Sequence, residues 1–274
     1  MFQTRRNVST LGSFFSNLDL IYEVTVRSVR GGHRNAVVGL VLTILQSLVL
    51  VAVFLVMFMV VGVRSCPIPG EDFLIYIMSG VMLFRTHVQS VKATQGANDA
   101  LAPMMLYAPM NPIVTICASA LATLYQQLLA ILVVLTVYHC AVTPIYIDNP
   151  IGAMGMFLLA WFSGCCIGVL FLAITPWFPR TMAIVGQLYR RMNMIASGKM
   201  FLVNSLPASM IAMFDWNPLF HIIDQNKGFV FLDYNPHFTT ISYPLQVSLV
   251  FLVLGMMGMF FTRQHVSASW SMGK

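Results

Sequence analysis

Carboxylates are scarce in this chain and absent from its long apolar runs. Only nine of 274 residues are Asp or Glu. Asp19, Glu23, Glu71, Asp72, Asp99, Asp148, Asp215, Asp224 and Asp233 all fall before or between those runs. Intramembrane acids are the usual proton carriers of pumps and transporters, so a proton-coupled mechanism has little to work with. A membrane-embedded glycan or lipid transferase needs a carboxylate or histidine cluster for acid–base or metal chemistry. The one loose grouping is Asp215, His221 and Asp224. No G-x-x-x-x-G-K-[ST] phosphate loop occurs, so ATP hydrolysis of that type is not expected on this chain. The six histidines lack metal-ligand spacing, and no metal is expected. The five cysteines form no disulfide framework. Cys117, Cys165 and Cys166 lie in apolar runs, where cysteine acts as a small hydrophobe. Cys66 and Cys140 stand at run ends on one side and are expected to stay unpaired, because nothing in the sequence brings them together. With so few charges, nucleic acid is not an expected partner.

What is abundant is apolar. The chain is 58% hydrophobic and 9% charged, with mean hydropathy +0.80. Soluble domains carry roughly a quarter charged residues, so this reads as an integral membrane protein. MFQTRRNVSTLGSFF lacks a sustained apolar core and a small-residue cleavage site, so the first long run is expected to remain.

A membrane-crossing helix needs about 20 apolar residues. Six runs qualify: 36–63, 73–91, 113–139, 151–174, 181–202 and 244–261. The fourth carries Gly164-x-x-x-Gly168, a spacing that lets helices approach closely. With the N-terminus in the cytoplasm, inner segments hold Arg5, Arg6, Arg27, Arg30, Arg34, Lys92, Arg180, Arg263 and Lys274. Outer segments hold only Arg64, Lys199 and Lys227. The positive-inside rule then places both termini in the cytoplasm. The fold class is an all-α integral membrane protein, with a cytoplasmic N-terminus over 1–35, a transmembrane domain over 36–262 and a tail over 263–274.

Two segments are neither spans nor plain loops. Over 17–30, Leu18, Ile21, Tyr22, Thr25 and Val29 recur at helical spacing, while Asp19, Glu23, Arg27, Arg30 and Arg34 line another face. Ser16 and Asp19 fit a capping box. The segment reads as an amphipathic helix in the cytoplasmic interface, either a plain anchor or part of a partner surface. Over 203–236, Pro207, Pro218 and Pro236 bound two amphipathic pieces, 208–214 and 219–231, too short to cross. These are expected to be re-entrant or interfacial helices on the outer side.

In this order the chain resembles the ABC-2 permease subunits that export bacterial capsular polysaccharide and O-antigen chains. Four stretches carry the likeness: RSVRGGHRNAVVGLVLTILQ at 27–46, YAPMNPIVTICASAL at 107–121, FPRTMAIVGQLYRRMNMIASGKMFLVNSLP at 178–207 and WNPLFHIIDQNKGFVFLDYNP at 216–236. It departs from the family's habit at Pro179–Arg180, where an acidic residue often follows the phenylalanine, and at the extra Pro103. The resemblance implies a homodimeric channel in a bacterial inner membrane, served by a separate cytoplasmic ATP-binding subunit that uses ATP and Mg. It also implies periplasmic and outer-membrane export partners, a glycan substrate and membrane lipid. This chain binds no cofactor in that scheme. By the same likeness, 95–108 is the coupling segment, with Asn98, Asp99, Leu101 and Tyr107, joined by Glu23, Arg27 and Arg30. Trp216, Asn217, Pro218 and His221 belong to an outer gate. Other cargo, such as a drug, a lipid or a teichoic-type polymer, fits the same fold, and the transferase is the alternative from another class.

A hydrated glycan needs polar groups along its route, and intramembrane polar residues normally face an interior or a cavity. The candidates are Arg85, His87 and Gln89, then Gln126 and Gln127, then Gln187, Arg190, Arg191 and Asn193. Arginine binds carboxylate and phosphate with a planar fork of donors. Two readings of Arg190 and Arg191 stand open: they meet an anionic part of the cargo, or they snorkel at the interface of a shorter fifth helix.

Overall fold

The computed structural model describes residues 10–30, 36–61, 66–98, 112–141 and 143–272. Among these residues every regular element is helical: α1 (Thr10–Arg30), α2 (Ala36–Val61), α3 (Phe73–Gln95), α4 (Pro112–Ala141), α5 (Pro150–Ile174), α6 (Pro179–Ala196), a 3-10 turn (Val203–Ser205), α7 (Ala208–Phe214), α8 (Pro218–Val230) and α9 (Ser242–Met272). Proline opens α4, α5, α6 and α8. Its missing N–H costs nothing in a first helical turn, and the residue before it resists helix.

Among the described residues, four helices are long and apolar enough to cross a membrane: α2 over Val37–Met57, α4, α5, and α9 over Ser242–Thr262. The central helix α3 is not one of them, and its surroundings explain why. It touches α2, α4, α5, α6 and α8, and Tyr76, Thr86, His87, Ser90, Val91 and Thr94 are completely buried. Protein surrounds it on most sides, so its polar residues need not face lipid. α2 is the reverse case, with Val37, Val41, Leu45, Val49, Val53 and Val60 exposed. α6 has only 18 residues and carries Arg180, Arg190 and Arg191.

The Gly164–Gly168 pair meets α3. A Cβ on Gly164 would lie 2.5 Å from the His87 carbonyl oxygen, and one on Gly168 would strike Thr94 Oγ1. The two backbones can approach this closely only without those side chains.

Three expectations change. α1 starts at Thr10, so Ser16 and Asp19 lie inside the helix and do not cap it. Its inward side holds Leu20, Ile21 and Val24 against Ala118, while Leu18 and Tyr22 face outward. The apolar run 181–202 is not one helix: α6 ends at Ala196, and Gly198, at φ +66, turns the chain. The run looked continuous because Met200, Phe201 and Leu202 follow the turn. Beyond Arg263, the segment expected as a tail is helical as far as Met272, the end of α9.

The two short pieces, 208–214 and 219–231, correspond to α7 and α8. Leu219, Ile222 and Ile223 of α8 pack with Leu83 and Phe84 of α3 and with Met156 and Ala160 of α5. α8 also fastens two loops. Lys227 Nζ donates to the Phe201 carbonyl at 2.7 Å. Asp224 accepts from Tyr234 and from Thr239 Oγ1. Lys199 turns inward, its ammonium 3.4 Å from the centroid of the Phe84 ring. Cys66 and Cys140 are free.

Candidate functional site

Polar residues of four helices converge on a cavity of about 680 Å³. α1 contributes Arg27 and Ser28, and α2 contributes Thr43 and Gln46. From α3 come Arg85, Gln89 and Lys92, spaced to share one helical face. From α4 come Ser119, Thr123, Gln126 and Gln127, again on one face. Among the described lining residues three are cationic and none is acidic. Arg27 and Lys92 are exposed at the mouth, whereas Arg85 is only 8% exposed.

Arg85 is tied to α2. Its Nη2 donates to the Thr43 carbonyl at 3.3 Å and to Gln46 Oε1 at 3.0 Å. Its Nε is buried without an acceptor. Gln126 Nε2 donates to the Val29 carbonyl at 3.3 Å, joining α4 to the end of α1. Arg85, Gln89, Gln126 and Gln127, singled out as path residues, therefore meet here, and so does Arg27, assigned to coupling. Sequence reasoning missed Thr43, Gln46 and Lys92. The available signal was an amide, Gln46, inside an otherwise apolar run.

The remaining path candidates lie elsewhere. His87 is completely buried: Nδ1 is 2.9 Å from Ser163 Oγ, and Nε2 is 3.0 Å from the Tyr189 hydroxyl. It joins α3, α5 and α6. Arg190 Nη1 donates to Gln95 Oε1 at 3.0 Å, while Gln95 Nε2 donates to the Met182 carbonyl at 3.0 Å. Gln187 and Arg191 are exposed, and Asn193 is buried. α6 is thus held by polar clamps on its inner side. Ile184, Leu188 and Ile195 remain exposed on it.

The residues expected at an outer gate include a joint between helices. Asn217 caps α8 by accepting from the Leu219 N–H at 3.1 Å. Its Nδ2 donates to Asn193 Oδ1 and to the Ala196 carbonyl, both at 2.9 Å. One side chain therefore fixes the start of α8 to the end of α6. Asn217→Ala is expected to lower stability by roughly 2–3 kcal/mol, from a lost cap and two buried bonds. Asn217→Ser keeps a capping oxygen without burying a charge against those two acceptors and should cost less; a thermal melt that ranks the two equally would contradict this. Pro218 opens α8. His221 Nδ1 accepts from the Thr240 N–H, and Nε2 lies 2.7 Å from the Asp215 carbonyl oxygen. Trp216 is exposed and, with Tyr189, Tyr243 and Phe251, lines a groove of about 600 Å³ beside α5, α6 and α9.

Of the coupling residues, Glu23 and Arg27 are exposed on α1, and Asn98 accepts a bond from Thr115 Oγ1 at 3.3 Å. Asp99, Leu101 and Tyr107 lie outside the described residues, as does the Arg30 side chain.

No protein-family model matches the chain. It is 27% identical over 191 residues to a polysialic acid transport protein KpsM of Escherichia coli, covering 69% of this chain and 72% of that protein. A second Escherichia coli polysialic acid transport protein KpsM is 26% identical over 189 residues, with the same shares covered. With its four membrane-length apolar helices, the chain is a multi-pass membrane protein similar to these transport proteins. The resemblance read from the four sequence stretches agrees with these relatives.

Proposed function

We propose that this chain is the permease subunit of an ATP-driven exporter that carries an acidic, lipid-linked capsular-type polysaccharide across a bacterial cytoplasmic membrane. The observation that carries the reading is the similarity to polysialic acid transport proteins along 69% of the chain. The polar interior, with cationic but no acidic lining among the described residues, supports an anionic cargo.

In this reading the chain crosses the membrane six times. α2, α4, α5 and α9 are joined by α3 and α6, whose polar residues are shielded by neighbours. Both termini are cytoplasmic, by the excess of inner arginines. Two copies form the channel, with the apolar outer faces of α2 and α6 covered by lipid or by the second copy. ATP and Mg are used by a separate ATP-binding subunit, which docks on 95–108 and on the Glu23–Arg27 side of α1. Periplasmic and outer-membrane components receive the polymer, and α7, α8 and Trp216 sit over the exit.

Deleting the gene in its host is expected to abolish the surface polysaccharide and leave polymer inside the cell, with export restored by the full chain. Normal surface polysaccharide in the deletion strain would contradict the reading. Arg191→Gln, at an exposed position outside the Arg190–Gln95 clamp, is expected to leave protein level and ATPase assembly intact while reducing export. Unchanged surface polysaccharide in that variant would remove Arg191 from the path.

A further inference from the structure

We propose that the cavity between α1, α2, α3 and α4 is an oxyanion site that takes one carboxylate or phosphate group at Arg85. The inference rests on the export reading for the origin of its ligand, and on the cavity itself for its chemistry.

Three features point to an anion. The first is charge: Arg27, Arg85 and Lys92 face one space that holds no acidic side chain among the described residues. Unopposed cations around a partly enclosed space focus a positive potential that draws anions in. The second is the unfinished coordination of Arg85. Nη2 serves the Thr43 carbonyl and Gln46, while Nε has no acceptor although the side chain is 8% exposed. A buried guanidinium without a counter-charge is costly. An oxyanion accepting from Nε would supply the one acceptor that this guanidinium lacks, beside the Nη2 bonds that hold it in place. The third is the composition of the wall. Gln89, Ser119, Thr123 and Gln127 supply neutral polar groups around the same space. At about 680 Å³ the cavity can take one acidic sugar unit or one phospholipid headgroup.

The geometry divides the work. Arg85 is held in place by α2 and sits deep, so it is the residue that pairs with the anion. Lys92 lies two turns along the same face at the exposed rim, and Arg27 faces it from α1. Those two guide the anion in, and their contribution is screened by salt.

The test uses the full chain in phosphatidylcholine nanodiscs, titrated with a fluorescent sialic acid tetramer and with the same tetramer methyl-esterified at its carboxylates. The acid form is expected to bind, and the neutral ester to bind about tenfold or more weakly. Arg85→Gln should weaken the acid form by about tenfold or more, and Arg85→Lys by less. Because Arg85 is buried and its loss can disturb folding, Lys92→Gln and Arg27→Gln at the rim provide a second readout. Each should weaken the acid form by about threefold at low salt and have no effect at high salt. A parallel series with phosphatidylglycerol, read by native mass spectrometry, separates the two sources. Retention of that lipid by the wild type and its loss from Arg85→Gln supports the same site with a lipid headgroup as ligand. Equal binding of acid and ester overturns the proposal, as does failure of the wild type to hold either anion. The export reading stands or falls separately, on whether the chain restores surface polysaccharide to the deletion strain.

Discussion

Replacing Gly164 with Leu is expected to remove most folded protein from detergent extracts, whereas the same change at Gly155 leaves it unchanged. Both residues lie on α5. At Gly164 an added Cβ falls 2.5 Å from the His87 carbonyl oxygen and 2.9 Å from Ser90 Cβ. The first of these is backbone and cannot rotate away, so α3 and α5 must separate. Separation also pulls His87 from Ser163 and from Tyr189, loosening α6 as well. Overpacking a close contact costs roughly 3 kcal/mol or more in such a case. A protein is stable by only about 5–15 kcal/mol, so the loss should be visible as a lower melting temperature and a reduced monodisperse peak. At Gly155 an added Cβ meets nothing within 4 Å. Equal behaviour of the two variants would show that α3 and α5 are not packed as described.

Asp224→Ala should free the segment that follows α8. Asp224 is 1% exposed and accepts from the Tyr234 hydroxyl and from Thr239 Oγ1. Gln225 Nε2 reinforces the same joint by donating to the Thr239 carbonyl at 2.7 Å. Without the carboxylate, two buried hydroxyls lose their acceptor, and the buried Lys227 loses its nearby acid. Removing one partner of such a buried charged network costs about 3–5 kcal/mol. The segment 231–241 should then become open to protease while the helices resist, with fragments identified by mass spectrometry. Asp224→Asn retains one acceptor oxygen and should be intermediate. Protection of 231–241 equal to the wild type in Asp224→Ala would contradict the assigned role.

Much of the helix plan is legible in the sequence, because apolar run length and proline position act locally. The run 36–63 corresponds to α2, and the short pieces flanked by Pro207, Pro218 and Pro236 correspond to α7 and α8. What depends on tertiary surroundings is harder to read. The end of α6 is hidden because Gly198 turns the chain while Met200, Phe201 and Leu202 keep the run apolar. Lys199 seemed an outer loop charge, yet it is buried against aromatic rings. Most of the polar candidates lie inward, though not as one group, while Gln187 and Arg191 are exposed. Arg85, Gln89, Gln126 and Gln127 share a cavity, whereas His87, Arg190 and Asn193 fasten helices together. Spacing along one helix cannot tell which neighbour a polar face will meet. Gln46 and Thr43 escaped notice because α2 is apolar on average, and only the fold shows that Arg85 reaches them.

The central claim, that this chain conducts an acidic polysaccharide under ATP power, is tested most directly in inverted membrane vesicles. These would contain the chain together with its ATP-binding partner, and the measured quantity is accumulation of a labelled, lipid-linked acidic glycan inside. The account predicts accumulation that needs both ATP and this chain, and that falls by about tenfold or more in Arg85→Gln. Equal accumulation with and without ATP, or with vesicles lacking the chain, would contradict it.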